Sequence, residues 1–390
     1  MSTDAAVFHR TAYAEQMADQ LLNPGPLYTN VRSGVFLSGI RRVGKTTFLR
    51  QDLVPALESR GALVIYVDLW ADRTKNPASL LHEAVRETLM QLQTSGSAIA
   101  RRIKGLNMGA FGLSLGLQLE TIGAPGGATL AQTFEALVSR TGRDVVVIVD
   151  EIQQALGSDE GYNLLHALKA ARDAVNANPE SPGHFLLLGT GSHKSLITDM
   201  ASRRNQPFTG ALATTFDVLG KDFVEWQLQR ISRSASAVLP SLQVAWDGFR
   251  AMGHRPEELL KAIVQLQQTS APPDDAFPII CETLASAAAD VELRAIDDFG
   301  ELGRAIFERI AAGREEGVSG IFSAEALAEY SRRTGSSVET NQVQGVTDKM
   351  IAANLIARPA HGVYTVADPF VRKVWQQRNA LESGATVRRT

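Results

Sequence analysis

A glycine-bracketed loop between a short apolar run and a helical pattern constrains this chain more than any other feature. The loop has the pattern Gly-x-x-x-x-Gly-Lys-Thr, follows the apolar run 34–38 and precedes a helical pattern over 45–59. Glycines let such a loop curl until its backbone N–H groups point at phosphate oxygens, beside the positive amino end of the next helix. The motif requires this context of a strand before it and a helix after it. The residues predicted to bind a nucleotide are Gly39, Ile40, Arg41, Arg42, Val43, Gly44, Lys45, Thr46 and Thr47.

A second apolar run, 144–149, ends in two carboxylates and is the natural partner of the loop. We expect Lys45 to reach the β- and γ-phosphates of ATP, and Thr46 to place its hydroxyl on Mg²⁺. Asp150 would hold the water shell of the metal, and Glu151 would orient or deprotonate the attacking water. The alternative is an acidic pair at a strand end without a catalytic role. The chemistry predicted here is hydrolysis of Mg-ATP, with Lys45 and Glu151 as catalytic residues and Thr46 and Asp150 as metal residues.

Three further sets of polar residues are candidates for the same chemistry. Thr190 and Ser192 end an apolar run, and from a strand between the other two they would contact the γ-phosphate or the water; the alternative is a polar turn. Arg255 starts a helix and is either a residue that swings onto the nucleotide or a solvated arginine. Arg203 and Arg204 follow the fourth strand and are either an arginine finger for a neighbouring subunit or ordinary surface residues.

Apolar runs alternate with helical patterns up to about residue 221. Continuous rather than alternating apolar strands, separated by helices, indicate a parallel sheet covered by helices on both faces. One stretch, 105–127, breaks this rhythm with closely spaced glycines. It is either a β-hairpin insertion or mobile loop, or a protruding element that touches a neighbour or a polymer. The predicted strands are 34–38, 62–69, 144–149, 185–189 and a weaker 214–219.

Strand patterns largely disappear after residue 221. Three helical patterns at 223–234, 240–252 and 256–268 form a predicted lid, and the clearest linker of the chain follows at 271–275. Helical patterns at 304–312, 323–334 and 339–354, then a strand-turn-strand pattern around His361 and Gly362, indicate a winged-helix domain. The predicted domains are an N-terminal helix (1–30), a P-loop core with the glycine-rich insertion (31–221), a helical lid (222–272), and a linker helix with the winged helix (273–390).

The order of these motifs is similar to that of a known family. The segments are GIRRVGKTT, VVVIVDE, FLLLGTGS and GHRPEELL, followed by three helices and a wing. In this the chain resembles the AAA+ P-loop ATPases, and most closely the archaeal-type ATPase group near its initiator-like and STAND-like branches. The resemblance implies ATP hydrolysis, a first sensor at Thr190 or Ser192, and a second sensor at Arg255. The segment DPFVRKVW at 368–375 looks like the tail that closes the winged helix in such proteins.

Composition narrows the setting and the partners. A formal charge of −3 over 390 residues argues against a protein that coats nucleic acid by bulk charge. The single cysteine, Cys281, allows neither an internal disulfide nor a thiolate metal cluster, so a reducing cytoplasmic setting fits best. The apolar runs are too short to span a bilayer, and we expect no membrane role.

The winged helix leaves the partner open. Winged helices place their third helix in a DNA groove, where basic and amide side chains meet phosphates and base edges. The cationic residues are few, so double-stranded DNA, a protein partner and an intramolecular role all remain. We expect an ATP-driven switch, with a non-hydrolysing ATP-binding scaffold or sensor as the alternative, and a homo-oligomer is compatible with both. The candidate DNA contacts are Asn341, Gln342, Gln344 and Lys349, with Arg332 and Arg333 before them and Arg358 in the wing.

Overall fold

The computed structural model describes residues 7–72, 74–93, 128–192, 194–202, 204, 206–233, 237–314, 316–360 and 362–387. This part of the chain divides into two compact units. The first unit comprises Met1–Gly39, Lys45–Ser192 and Leu196–Asp217. The second comprises Ile40–Gly44, His193–Ser195 and Val218–Thr390. The tip of the glycine-bracketed loop therefore groups with the second unit, although both of its ends belong to the first.

A parallel β-sheet forms the centre of the first unit. Within the described residues it has five strands in the order β2-β3-β4-β1-β5. Every residue of β3 is buried, so both faces of the sheet are covered, as the continuous apolar runs predict. The prediction that β4 lies between β1 and β3 is confirmed. The strands are β1 (Val35–Ser38), β2 (Leu63–Asp68), β3 (Val145–Asp150), β4 (Phe185–Gly191) and β5 (Leu212–Thr215).

Helices pack their apolar faces around this sheet. The core joins Phe36, Ile65 and Val147 from the strands to Phe134 and Leu165 from two helices. The helix after the loop is interrupted by a π-helical turn, Leu49–Leu53. The helices of this unit are α1 (Thr11–Leu22), α2 (Lys45–Phe48), α3 (Val54–Ser59), α4 (Pro77–Gln93), α5 (Leu130–Thr141), α6 (Asp159–Asn176) and α7 (Lys194–Ser202).

The sequence prediction was wrong at several places in this unit. The fifth strand spans Leu212–Thr215 rather than 214–219, because β5 is an exposed edge strand whose pattern carries little signal of burial. Helices α5 and α7 were not predicted. Helix α5 has a clear start signal, since Thr129 and Gln132 form a reciprocal capping box. The predicted insertion at 105–127 lies outside the described residues.

The second unit is mainly helical and, within the residues described, contains a three-stranded antiparallel sheet, β6-β8-β7, that precedes its last helix. Helix α12, β6, α13, α14, β7 and β8 follow one another in the order that a winged-helix domain requires. Helix α11 already begins at Pro273, so the predicted linker at 271–275 is partly helical. The elements are α8 (Lys221–Ser232), α9 (Leu242–Ala251), α10 (Pro256–Leu266), α11 (Pro273–Arg294), α12 (Gly300–Ala312), β6 (Val318–Ser319), α13 (Ala324–Thr334), α14 (Thr340–Ala352), β7 (Ile356–Ala360), β8 (Val363–Val366) and α15 (Pro369–Val387).

The first turn of α6 packs closely against the 3-10 turn after β3, and this packing depends on a glycine of α6. A Cβ on Gly161 would collide with the backbone of Ala155 and lie 2.7 Å from its Cα. Backbone cannot move aside as a side chain can, so we expect Gly161→Ala to lower the free energy of unfolding by about 1–3 kcal/mol. The matched control is Gly157→Ala, because a Cβ there meets nothing within 4 Å. Urea unfolding of both variants measures the difference, and equal stabilities would contradict this account of the turn.

Candidate active site

A buried carboxylate, Asp150, is the centre of the site in the first unit. It lies at the carboxyl end of β3 with 1% of its surface exposed. Thr46 Oγ1 donates to its Oδ2 at 2.7 Å, Tyr66 Oη donates to the same oxygen at 2.8 Å, and Thr190 Oγ1 donates to Oδ1. These three hydroxyl groups come from α2, β2 and β4. All three donors are neutral hydroxyl groups, and together they satisfy both oxygens of the buried carboxylate.

Strand register explains why these residues meet. Asp68 pairs with Asp150 across β2 and β3, and Val149 pairs with Gly189 across β3 and β4. Parallel strands present their carboxyl ends at one edge of the sheet, so Thr190, one residue after Gly189, reaches the same carboxylate. The sequence prediction that α2 and the ends of β3 and β4 form one site is consistent with this geometry.

Tyr66 is a site residue that sequence reasoning missed. Its ring lies under the guanidinium of Arg50, 4.6 Å from the ring centroid. Burial, and then the charge of Asp150, raise the pKa of Tyr66 well above its ordinary value. The phenol therefore stays protonated and donates to Asp150. A lone hydroxyl-bearing residue in the otherwise apolar run of β2 was the available signal.

The two ends of the glycine-bracketed loop meet at Gly39. Lys45 is buried, with 7% of its surface exposed, and its Nζ donates to Gly39 O at 2.6 Å. A Cβ on Gly39 would lie 3.1 Å from both Lys45 Cδ and Phe216 Cβ. Because Gly39 has no side chain, the aliphatic part of the Lys45 side chain can pack against it. Thr47, in the same short helix, is exposed.

The tip of the loop, Ile40–Gly44, contains two residues with a left-handed backbone. Arg42 has φ +66° and Gly44 has φ +90°, both in the left-handed region. Successive backbone N–H groups in such turns form concave nests for anions. Arg42 adopts this conformation without being glycine, which costs of order 1–3 kcal/mol and is typical of ligand-binding loops. Val43 is buried, whereas Arg42 is exposed.

Glu151 follows Asp150 and also has a left-handed backbone, with φ +54°. Its N–H donates to Asp150 Oδ1 at 3.1 Å. Its side-chain Oε2 accepts from Gln153 Nε2 and from Ser192 Oγ, the latter at 3.3 Å. Thr190 and Ser192, the two candidates for the first sensor, therefore contact different carboxylates. Thr190 donates to Asp150, and Ser192 donates to Glu151.

Part of the chain matches the model of a known protein family. The model of the AAA domain family matches residues 30–197, which contain the loop, Asp150, Glu151 and Thr190. These residues are therefore similar to an AAA domain. The AAA domain thus matches the resemblance drawn from the motifs, and its matched region ends within helix α7.

The fold is shared over nearly the whole chain with a solved archaeal structure. The ORC2 protein of Aeropyrum pernix in its ADP form is 15% identical, with 97% of this chain and 95% of that chain covered at a TM-score of 0.53. The same protein in ADPNP-ADP complexes (15% identical, 96% of each chain) and the A. pernix ORC1 protein in complex with DNA (15%, 95% and 93%) give TM-scores of 0.48 and 0.41. A comparison with curated proteins gives no match. No helix in the described ranges is both long enough and apolar enough to cross a membrane.

In the second unit, the predicted second sensor has a carboxylate partner. Arg255 has 4% of its surface exposed, and its guanidinium donates to Asp368 Oδ2 at 2.6 Å and lies 4.5 Å from the centroid of the Phe370 ring. The alternative of a solvated arginine is therefore wrong. Gly253, with φ +74°, leaves space for this arrangement, since a Cβ there would lie 3.2 Å from Phe370 Cβ. Asp368 lies in the predicted tail, but no local pattern indicates its partner 113 residues away.

The candidate arginine finger has a different setting from the predicted one. Arg204 is exposed, but helix α7 separates it from β4, so it does not lie in a turn that directly follows the fourth strand. Arg203 lies outside the described residues.

The predicted DNA-contacting face of α14 is exposed at Asn341, Gln342, Gln344 and Lys349. The side chain of Gln342 already makes one hydrogen bond within the protein. Its Oε1 accepts from the N–H of Glu339 at 2.8 Å, as part of the cap of the helix. Among the arginines, Arg333 pairs with Glu308 at 2.6 Å. Arg332 is exposed, and Arg358 lies 5.8 Å from the centroid of the Tyr364 ring.

Proposed function

We propose that this chain binds Mg-ATP at residues 39–47 and hydrolyses it. The observation that carries the proposal is the buried carboxylate of Asp150, which accepts the hydroxyl of Thr46 from the first turn of the helix that follows the loop. A carboxylate at this depth needs strong partners. A hydroxyl and a carboxylate on the same edge of the sheet are the oxygen donors that a P-loop nucleotide site uses for its metal.

The donor chemistry of Thr46 and Asp150 fits Mg²⁺, which prefers hard oxygen ligands and keeps several of its waters. Thr46 would hold the ion directly and Asp150 would hold its water shell, with Tyr66 and Thr190 fixing the orientation of the carboxylate. Bound Mg²⁺ would neutralise charge on the phosphate oxygens. Lys45 has the length and charge to exchange its hydrogen bond with Gly39 O for a phosphate oxygen.

Glu151 supports hydrolysis rather than binding alone. Its carboxylate lies beside the metal-site residue and accepts from two neutral donors, Gln153 and Ser192. It is therefore an available hydrogen-bond acceptor for the attacking water, and a protein that used ATP only as a structural ligand would not need one. We assign Glu151 as the general base and Ser192 as a neighbour that orients it.

The winged helix supports a coupled switch whose partner is duplex DNA or a protein. Helix α14 presents exposed amide and basic side chains at Gln344 and Lys349, the residue types that contact base edges and phosphates. Acidic residues lie on the same helix and before it, at Asp348 and Glu339, which moderates its positive charge. We therefore propose two alternative partners for the winged helix, duplex DNA and a protein.

Steady-state ATP hydrolysis with and without duplex DNA, at low and at moderate salt, tests the proposal. If α14 binds DNA, we expect DNA to stimulate turnover, and the stimulation to weaken as salt rises, because phosphate contacts release counterions. Lys349→Glu should raise the DNA concentration needed for half-stimulation, regardless of DNA sequence, and lower the salt slope by about one. Turnover without DNA should be unchanged in this variant.

Lys75→Glu is the matched control, since Lys75 is a half-exposed lysine in the first unit that pairs with Glu83. A hydrolysis rate that does not change when DNA is added would indicate that the winged helix binds a protein partner. Tight ATP binding without turnover would replace the ATPase by a scaffold or sensor that uses ATP as a structural ligand.

A further inference from the structure

We propose that Gln153 is a positioning residue that fixes the carboxylate of Glu151 for catalysis; this inference rests on the proposed hydrolysis. Gln153 lies in the 3-10 turn directly after Glu151 and has only 4% of its surface exposed. Its Nε2 donates to Glu151 Oε2 and lies 3.5 Å from Ser192 Oγ. Ser192 Oγ contacts the same carboxylate oxygen at 3.3 Å. Two neutral donors therefore hold one oxygen of the proposed base.

The chemistry of the groups fixes which end of the amide faces Glu151. An ionised carboxylate only accepts hydrogen bonds, so the NH₂ end of Gln153 must point at it. The other end, Oε1, is buried and has no hydrogen-bond partner in the described part of the chain. A buried acceptor without a partner is costly, which means that Gln153 is not placed to optimise its own hydrogen bonding. Its contact with Glu151 accounts for its position.

The neighbouring strand is shaped to admit this amide. Gly191, the last residue of β4, lies against Gln153, and a Cβ there would collide with Oε1 and lie 3.0 Å from Cδ. Any side chain at 191 would push the amide away from Glu151. Gly191 is extended and has no positive φ that would call for glycine, so close approach is the physical reason for it.

The backbone of Glu151 makes this support necessary. With φ +54°, Glu151 occupies a region that few non-glycine residues adopt, immediately between a buried strand and a 3-10 turn. Its side chain is half-exposed and has rotamers that would swing it into solvent. Gln153 and Ser192 select the rotamer in which the carboxylate stays beside Asp150. Neither residue needs to contact the nucleotide for this effect.

Gln153→Met tests the inference, because methionine matches the length of glutamine and removes the donor. We expect kcat for ATP hydrolysis to fall about 10- to 100-fold, the usual effect of losing a group that orients a catalytic side chain. The dissociation constant for ATP should stay within about twofold of the wild type, since binding does not depend on Glu151. The matched control is Gln154→Met, the next residue on the same turn. Its backbone N–H donates to Glu151 O and is kept in the variant, while its side chain is not one of the donors to the Glu151 carboxylate, so wild-type turnover is expected.

A double variant separates positioning from a structural effect. If Gln153 acts only through Glu151, then Glu151→Gln with Gln153→Met should turn over no more slowly than Glu151→Gln alone. An additional drop in the double variant, or loss of ATP affinity in Gln153→Met, would overturn the inference and make Gln153 a packing residue. Unchanged kcat in Gln153→Met would also overturn it. Failure of Glu151→Gln itself to slow turnover would instead overturn the proposed hydrolysis, so the two failures are distinguishable.

Discussion

Glu151→Gln is expected to slow ATP turnover about 100- to 10,000-fold, the range attributed to a general acid or base, while ATP binding is kept. The substitution is well matched to the site. Glutamine has the same length and tolerates φ +54° no worse than glutamate, so the local backbone should not change. Ser192 can still donate to the amide oxygen, which keeps the side chain in place. What is lost is the ability to accept a proton from water.

The measurement is steady-state phosphate release together with equilibrium ATP binding. Glu160→Gln serves as the control, because Glu160 is an exposed carboxylate in the first turn of α6. It should hydrolyse ATP as the wild type does. Equal turnover in Glu151→Gln and the wild type would remove Glu151 from the mechanism and leave the buried Asp150 cluster as a binding site only.

Asp368→Ala is expected to destabilise the second unit by about 3–5 kcal/mol. The reason is that Arg255, which has 4% of its surface exposed, would be left as a buried charge without its carboxylate. Its Nε has no hydrogen-bond partner within the described residues, and the contact with the Phe370 ring does not replace a carboxylate. Asp368 Oδ1 also accepts the N–H of Phe370 at the start of α15, which adds to the effect.

The test is urea unfolding followed by tryptophan fluorescence. Three of the four tryptophans in the chain, Trp226, Trp246 and Trp375, belong to the second unit, so the signal reports mainly on it. Asp247→Ala is the control, because its pair with Arg250 is exposed on both sides and its loss should leave the stability close to that of the wild type.

A second variant shows whether the cost comes from the unpaired charge. Arg255→Met combined with Asp368→Ala removes both partners, and most of the lost stability should return, because an apolar side chain tolerates burial where a lone guanidinium does not. If the double variant is as unstable as the sum of the single variants, the ion pair is not what holds Arg255 to α15.

Local sequence patterns predicted the parts of this fold that depend on neighbouring residues. The buried run Val145–Asp150 was recognised as a core strand because every residue in it is apolar up to the terminal carboxylate. The loop at 39–46 was recognised because its glycines and its flanking strand and helix are consecutive in the chain. The parallel arrangement of the strands followed from the alternation of strands and helices.

Contacts between distant residues could not be predicted in this way. Tyr66 lies 84 residues before Asp150, and Asp368 lies 113 residues after Arg255. Their pairing depends on strand register and helix packing, which no local periodicity encodes. Gln153 is a different case, since it is adjacent to Glu151. Its burial against Gly191 depends on the 3-10 turn that follows β3. The search for helical patterns in the sequence did not distinguish this short turn from an ordinary loop.

The identity of the nucleotide retained after incubation with Mg-ATP tests the central claim most directly. Wild-type protein and Glu151→Gln would each be mixed with ATP, separated from free nucleotide and analysed for bound ATP and ADP. The proposed mechanism predicts ADP on the wild type and intact ATP on the variant, at similar occupancy, because residues 39–47 bind and Glu151 hydrolyses. ATP retained unchanged by both proteins would contradict hydrolysis, and the absence of nucleotide from both would contradict the binding site itself.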